Sequence, residues 1–521
     1  MKKYILLIAV FFTIGVASCK KDFLSQEVNP NSPSVTTPQL TLAGALATTA
    51  AIVNGGDYSN FGVWVQYWTN SGNYVPNAAL DAFQINNTSF TQPWIDLYQN
   101  LTNYNSLQTT SAAVPADANF RAIAMIMKAY DFEQLVDQFG DVPYSQAFQP
   151  STILFPAYDS GQAIYNDLVK QLDAAIALIN SSGSATNPGV SDIVFGGNMV
   201  GWKKFANSIK LRLAIRQSNL GTNAAATDLA ATSAEGYLDG NLDAEANPGY
   251  ANLAGKQSPF WANYGVDANG NATFPNVYYR GNKFFINKLN SFNDPRTTSI
   301  YYGTSGSLGL TIAGNTFGDP QGSPTVQSNP GTSAVGPGLL ISASQNAILF
   351  SGAESLFLQA EALLKGYSIG TPFPSAQKAY EAAITASFVA MKAGSVTTYD
   401  GNGNPTTTAY ASNATSAALA VTYYSQAIPN VGWAASPNQL EAIIYQKWIA
   451  LDGYNVLEPY LEYERTGFPI LPNPVSIDPT ALSTTLPVRQ FYPQEELNTN
   501  AANLAKEGTI NIFTTKIFWA K

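Results

Sequence analysis

Apolar residues recur every three to five positions through several long segments, a pattern typical of helices that bury one face. The segment 115–139 is one example, and others follow it along the chain. The repeating positions are Phe120, Ile123, Met127, Tyr130, Leu135 and Phe139; Ile164, Leu168, Leu172 and Ile176; Trp202, Phe205, Ile209 and Leu213; Tyr380, Ile384 and Phe388; and Leu440, Ile444, Trp448 and Leu451. The pattern predicts a mostly α protein.

The predicted helices come in pairs with short connections. The pairs are 90–111 with 115–139, 159–180 with 198–219, and 345–365 with 374–392. Such pairs resemble tetratricopeptide-type units, which stack because one pair cannot bury its own apolar face. No strict period of about 34 residues is visible, so the predicted units are degenerate.

The last predicted helix carries a start signal. Ser436 and Gln439 have the spacing of a capping box, and Pro437 lies at the first helical position. Two other stretches, near 247–279 and 302–338, lack periodicity and are rich in Gly, Ser, Pro and Asn. Long irregular stretches in a folded chain are usually functional or mobile, so we expect ligand contacts there.

The N-terminus has the order of an export signal. Lys2 and Lys3 precede an apolar run of 14 residues, too short to span a bilayer, and small residues then lead to Cys19, the single cysteine. This is the position at which a bacterial lipoprotein precursor is cleaved and acylated; the alternative is an ordinary secretory signal followed by a buried free thiol. We predict a signal peptide at 1–18, a lipidated tether at 19–38 and a single α domain at 39–521.

Composition excludes several kinds of chemistry. The chain of 521 residues has no His and one Cys, so it cannot form a Ser-His-Asp triad, a Cys-His pair or a Cys-cluster metal site. A formal charge of −9 argues against sequence-independent binding to nucleic acid. With 45% hydrophobic and 12% charged residues, the chain is expected to bury a large core. No metal and no cofactor are predicted.

Two aromatic clusters are candidates for sugar binding, because sugar C–H faces stack on aromatic rings and amides reach ring hydroxyls. In the first cluster, Phe61, Trp64 and Trp68 share one helical face, which favours a core role. Tyr67 and Tyr74 lie off that face and are expected to be more exposed, beside Asn70 and Asn73.

The second cluster lies in the irregular stretch, where no periodicity requires burial. We predict ligand contacts from Trp261, Tyr264, Tyr278 and Tyr279, which lie near Phe260 and Phe274.

Other polar groups have simpler interpretations. Glu354 and Glu361 share a helical face and invite comparison with a glycosidase pair, but ion pairing between helices explains them better. The basic run is expected to form a solvated face or helix-to-helix pairs; it consists of Lys203, Lys204, Lys210, Arg212 and Arg216. The segments 267–271 and 400–404 lack the Gly and Glu positions of an EF-hand loop and are predicted to be turns.

Several blocks, in order along the chain, resemble the SusD/RagB family of outer-membrane nutrient-binding lipoproteins. The blocks are CKKDFL from Cys19, NPNSP from Asn29, KAYDFEQLVDQFGDVPY from Lys128, WKKFANSIKLRL from Trp202, NDPR from Asn293, ESLFLQAEALL from Glu354, IYQKWIA from Ile444, ERTGFP from Glu464 and LPVRQFYP from Leu486. Pro459 departs from the family pattern and either kinks a helix or begins a new one.

The resemblance implies a non-catalytic protein on the outer membrane of Bacteroidetes-type bacteria, anchored by lipid and exposed at the cell surface. It implies four tetratricopeptide-type units and a SusC-like TonB-dependent transporter as partner, to which a captured oligosaccharide is passed. A peptide-capturing RagB-like member and a helical-repeat scaffold without nutrient contact remain alternatives, and a hydrolase is disfavoured. Stacking chemistry identifies a sugar face and not a particular sugar.

Overall fold

A computed structural model describes residues 36–304 and 311–521 of the chain. The predicted signal peptide and Cys19 lie outside these residues, as does the tether up to residue 35. The helices are α1 (Pro38–Asn54), α2 (Ser59–Trp64), α3 (Ala78–Asp81), α4 (Gln92–Thr110), α5 (Ala118–Phe139), α6 (Gly161–Ser181), α7 (Met199–Arg216), α8 (Ala224–Thr232), α9 (Pro259–Tyr264), α10 (Phe274–Tyr278), α11 (Lys283–Ser291), α12 (Thr297–Ile300), α13 (Gly352–Leu364), α14 (Ala376–Ala390), α15 (Asn413–Tyr424), α16 (Gln439–Ala450), α17 (Leu457–Thr466), α18 (Gln494–Thr499) and α19 (Ala501–Leu504).

Short strands supplement the helices as two-stranded antiparallel pairs. The pairs are β1 (Trp68–Asn70) with β5 (Tyr279–Gly281), β2 (Val142–Pro143) with β3 (Tyr158–Asp159), β4 (Ala244–Ala246) with β6 (Ala347–Phe350), and β7 (Val396–Tyr399) with β8 (Pro405–Ala409). The pairing of β1 with β5 sets Thr69 opposite Arg280 and joins the first aromatic cluster to the end of the first irregular stretch.

Successive long helices pack against one another, so the predicted helix pairs are confirmed. Helix α4 packs on α5, α5 on α6, α6 on α7, and α13 on α14, while α7 and α16 both contact α13. Several helix starts are capped by side chains that accept backbone N–H bonds, for example Ser160 for α6 and Ser351 for α13. The mostly α class is therefore correct.

The predicted start of α16 is wrong by two residues. Asn438, not Ser436, caps this helix by accepting from the Glu441 N–H at 3.3 Å. The Ser436 hydroxyl instead donates to the Gly432 carbonyl at 2.8 Å, so it closes the preceding turn. Pro437 lies before the helix. At Pro459 the second alternative holds, because α17 begins at Leu457.

A chain of buried ion pairs ties helices that are distant in sequence. Arg212 of α7 contacts Glu133 of α5 at 2.6 Å and Glu354 of α13 at 3.0 Å, and Arg465 of α17 contacts Glu361 of α13 at 2.7 Å. All five side chains are buried. Glu354 and Glu361 therefore serve as ion-pair partners, as predicted, and neither carboxylate is placed to reach a substrate.

The basic run also pairs between elements. Lys210 is buried and bonds Asp173 and Asp228, and Arg216 bonds Glu458 at 2.7 Å. Lys203 and Lys204, nearer the surface, pair with Glu235 and Asp239, the second at 3.4 Å. Helix-to-helix pairing thus explains most of the run.

Candidate functional site

A cleft of about 770 Å³ opens where the two irregular stretches meet the β7–β8 hairpin, and we call it the loop cleft. Its walls come from α9, α10, β5 and β8 and from segments that follow α12 and precede β6. The residues lining it are Trp261, Gly265, Val266, Gly270, Ala272, Asn276, Val277, Arg280, Tyr302, Gly303, Asn329, Ala334, Leu340, Ile341, Asn404, Pro405, Thr406, Thr407, Thr408 and Tyr410.

Trp261 is held rigidly at this wall. Its indole Nε1 donates to the Val266 carbonyl at 3.0 Å, and its ring lies against the backbone of Gly265. A Cβ at Gly265 would stand 3.1 Å from Trp261 Cδ2, so glycine is what allows this close approach. The side chain is half-buried, so part of the ring faces the cleft.

Two tyrosines complete the aromatic lining. Tyr410, which follows β8, is 41% exposed, and its hydroxyl donates to the Ile341 carbonyl at 3.3 Å. Tyr302 is half-buried, and this burial, with Tyr410 nearby, raises the pKa of Tyr302 to about 12. The phenol is therefore neutral near pH 7 and can both donate and accept hydrogen bonds.

Amides and hydroxyls supply the polar lining. Asn276 is fixed by donating to the Tyr264 carbonyl at 2.7 Å, whereas Asn329 Oδ1 is buried and has no hydrogen-bond partner among the described residues. Thr406 and Thr408 bond threonine hydroxyls across the hairpin at 2.9 and 3.0 Å. These groups are neutral and bifunctional, which suits recognition of hydroxyl-rich ligands.

Arg280 is the single charged side chain among the described residues that line the cleft. It is 6% exposed, and burial lowers the pKa of its guanidinium to about 10. It donates to Thr332 Oγ1 at 3.2 Å, to the Asn329 carbonyl at 3.3 Å and to the Asn276 carbonyl at 3.4 Å, and it also bonds the Thr332 carbonyl.

The structure brings Trp261 alone of the predicted contacts into the described lining of the loop cleft. Tyr264 lies on the same short helix but is 2% exposed, because its ring packs 4.9 Å from Trp68 and 4.8 Å from Phe260. Burial in this aromatic core removes Tyr264 as a stacking surface.

The sequence predicts that Tyr67 is one of the better exposed aromatic residues, and this prediction is wrong. The helical face ends at Trp64, and the chain turns at Gln66, whose φ is +71°. Tyr67 is fully buried, stacks on Trp448 with centroids 5.9 Å apart and donates its hydroxyl to the Trp448 carbonyl. Asn70, at the end of β1, is 2% exposed.

Tyr278 and Tyr279 also belong to packed aromatic groups. Tyr278 is 8% exposed and is therefore not an open platform. Tyr279 is half-buried, with its hydroxyl 3.2 Å from Ser59 Oγ and its ring 6.1 Å from Trp68, and it does not line the loop cleft.

Tyr74 and Asn73 lie at a separate surface beside the cleft. Tyr74 is half-buried against Phe274, which is 62% exposed, with ring centroids 5.5 Å apart. Asn73 is exposed, and its Oδ1 accepts from the Asn329 N–H at 2.7 Å, which links this surface to the loop that contacts Arg280. A ligand role for Tyr74 and Asn73 stays a prediction.

The sequence interpretation missed the contribution of the β7–β8 hairpin. Threonines lie on both sides of a turn at 400–404 that contains Asp-Gly and Asn-Gly, which are recognised hairpin signals. The hairpin places Thr406, Thr408 and, just beyond it, Tyr410 at the cleft. Tyr302 begins the second irregular stretch, and the arrangement of that stretch depends on tertiary contacts that no local pattern reports.

The predicted turns at Asp267 and Asp400 are confirmed. Asp267 Oδ1 accepts from the backbone N–H groups of Asn269 at 2.8 Å and Asn271 at 2.9 Å, and Asp400 does the same for its own turn. The side-chain bond from Asn271 lowers the pKa of Asp267, as that from Asn404 lowers the pKa of Asp400. The two carboxylates are thus occupied as turn caps at the rim of the cleft.

Two searches within residues 36–304 and 311–521 bear on other functions. No three His, Cys, Asp or Glu side chains there gather in a way that could hold a metal ion. No helix in the described part of the chain has the length and apolar character needed to cross a bilayer.

The fold defines a helical-repeat protein with a ligand-sized cleft built on its irregular insertions. The chain belongs to the SusD-like family, because the family SusD-like_2, described as "Starch-binding associating with outer membrane", matches residues 30–493. It is accordingly a nutrient-binding protein associated with the outer membrane. None of the curated proteins matches the chain.

Solved structures share the fold. A chitin-binding protein is 24% identical, with a TM-score of 0.74 over 93% of this chain and 100% of its own. A SusD/RagB family protein from Bacteroides thetaiotaomicron VPI-5482 is 19% identical, with a TM-score of 0.72 over 93% and 99%. A SusD homolog from Bacteroides fragilis NCTC 9343 is 21% identical, with a TM-score of 0.72 over 94% and 100%.

Proposed function

We propose that this protein captures oligosaccharide in the loop cleft and delivers it to a SusC-like TonB-dependent transporter without catalysing a reaction. The observation that carries the proposal is the composition of the cleft, in which Trp261, Tyr302 and Tyr410 surround neutral amides and hydroxyls. Aromatic faces bind the C–H faces of sugars, and the amides match ring hydroxyls with paired donors and acceptors. The similarity in fold to a chitin-binding protein supports the same ligand class.

The anchoring of the protein completes the proposal. Cys19, after the export signal, carries lipid and holds the domain at the cell surface through the tether. Replacement of Cys19 by Ser should move the protein from the detergent phase to the aqueous phase in a phase-separation assay. A wild-type protein that already partitions into water would contradict the anchor.

Binding of neutral oligosaccharides tests the proposed ligand. Isothermal titration of the purified protein with chitin, starch and xylan oligosaccharides should give saturable binding to at least one, and a degenerate peptide library should give none. Saturable peptide binding without sugar binding would favour the peptide-capturing alternative. Absence of both, together with capture of other lipoproteins, would favour the scaffold.

A further inference from the structure

We propose that the loop cleft selects oligosaccharides that carry an acidic sugar, with Arg280 as the residue that binds the carboxylate or sulfate. The inference rests on the proposed function and deepens it. It starts from the charge balance of the cleft, whose described lining includes one cation and no Asp or Glu. The chain as a whole has a formal charge of −9, and Asp267 and Asp400 lie at the rim of the cleft, so Arg280 is the positive group that the described wall offers to an anion.

The surroundings of Arg280 differ from those of arginines in the helical core. Arg212, Arg296 and Arg465 are more deeply buried than Arg280, and each lies within 4.0 Å of a carboxylate. No carboxylate of the described residues lies within that distance of Arg280. The undescribed segment 305–310 contains no acidic residue. The hydrogen-bond acceptors that Arg280 does contact are neutral oxygens.

A buried cation without a counterion is costly, and a bound anion relieves that cost. The lowered pKa of Arg280 agrees with this, because no carboxylate offsets its desolvation. A protein that needed only to clamp the loop at 329–332 could use a neutral donor. A guanidinium adds a full positive charge at the wall of the cleft, and it binds carboxylate and sulfate geometry well.

Hydrogen-bond counting leaves room for the ligand. A guanidinium has five N–H groups, and Arg280 directs them at four described acceptor contacts: Thr332 Oγ1 and the carbonyls of Asn276, Asn329 and Thr332. One N–H on Nη1 is left over. Asn329 Oδ1, in the same group, is buried without a partner and is available to accept from a sugar hydroxyl. A donor for an anion and an acceptor for a hydroxyl thus lie together.

The test compares acidic and neutral forms of the same sugar. Tetragalacturonate and its methyl ester share one sugar backbone and differ in the carboxylate charge and the added methyl groups, and a κ-carrageenan tetrasaccharide and its desulfated form provide the sulfate arm. We expect one acidic form to bind the full-length protein at least about tenfold more tightly than its neutral form, equivalent to about 1.4 kcal/mol. Because the contact is ionic, raising the salt concentration should reduce the preference.

The variant Arg280→Gln should abolish this preference, so that the acidic and neutral forms bind with similar affinity, whereas Arg280→Lys should keep part of it. Lys256→Gln, which removes an exposed positive charge outside the cleft, should leave the preference intact. If Arg280→Gln does not fold, the inference is tested by the salt dependence of the wild-type preference and by the preference that Arg280→Lys retains. Equal binding of acidic and neutral forms overturns the inference while leaving the proposed function standing; no sugar binding at all overturns the proposed function.

Discussion

Truncation of Trp261 should weaken oligosaccharide binding far more than it weakens the fold. The ring is half-buried against Gly265, so a sugar can cover about 50 Å² of it, roughly a quarter of the ~200 Å² that a large aromatic side chain buries. At ~25 cal/mol per Å² this area contributes about 1.2 kcal/mol. Stacking adds about 0.5–1.5 kcal/mol beyond area.

The sum of about 1.7–2.7 kcal/mol predicts that Trp261→Ala raises Kd about 15- to 100-fold. Trp261→Phe retains a ring but loses the indole bond to Val266, so its effect should be smaller. Both are measured by isothermal titration with the tightest neutral oligosaccharide, and stability is followed by urea denaturation in parallel. The free energy of unfolding should fall by no more than about 1–2 kcal/mol, the scale of one hydrogen bond and some packing.

Trp448→Ala is the matched control. Trp448 is 1% exposed and lies 4.6 Å from the ring of Phe285, so its loss should cost ~3–5 kcal/mol of stability. The variant should show no selective loss of binding while it remains folded. The reasoning is refuted if Trp261→Ala binds as the wild type does, or if it unfolds as Trp448→Ala does; the search would then move to Tyr74 and Asn73.

Two further predictions concern buried charges. Arg212→Ala should lower the free energy of unfolding by ~3–5 kcal/mol in urea, since it strands Glu133 and Glu354; a loss below about 1 kcal/mol contradicts the role of the pairs. Burial raises the pKa of Asp452 well above its usual range, so folding takes up a proton and stability falls as pH rises from about 4. The stability of Asp452→Asn relative to the wild type should therefore increase between pH 4 and 7, as measured by urea denaturation at each pH. A stability difference that stays constant over this range contradicts the reasoning.

The helical scaffold could be predicted from sequence because periodicity reports burial directly. The segment predicted at 159–180 is Gly161–Ser181, and that predicted at 345–365 is the shorter Gly352–Leu364. The second error has a physical cause, since 347–350 pairs as β6 with β4, and an apolar run of that length suits either a strand or a helix.

The candidate site was less predictable because it depends on contacts between distant segments. Trp261 could be identified as an aromatic residue in an irregular stretch. The inference for Tyr67 failed since it assumed a continuous helix, whereas the chain turns at Gln66 and directs Tyr67 into the core. Arg280 carried no local signal at all, because its burial and its acceptors arise from the loop at 329–332.

Stability and ligand recognition therefore depend on different parts of the protein, the helical part and the loop cleft. In the helical part, ion pairs such as Arg465–Glu361 join α17 to α13, so moving one helix would expose a buried charge and is strongly opposed. The loop cleft is lined by short helices, a hairpin and turns closed by Asp267 and Asp400, whose bonds are local to each turn. A substitution in the hairpin therefore changes which ligand hydroxyl or anion the cleft contacts without disturbing the helical pairs. Ligand specificity can thus vary on a fixed scaffold.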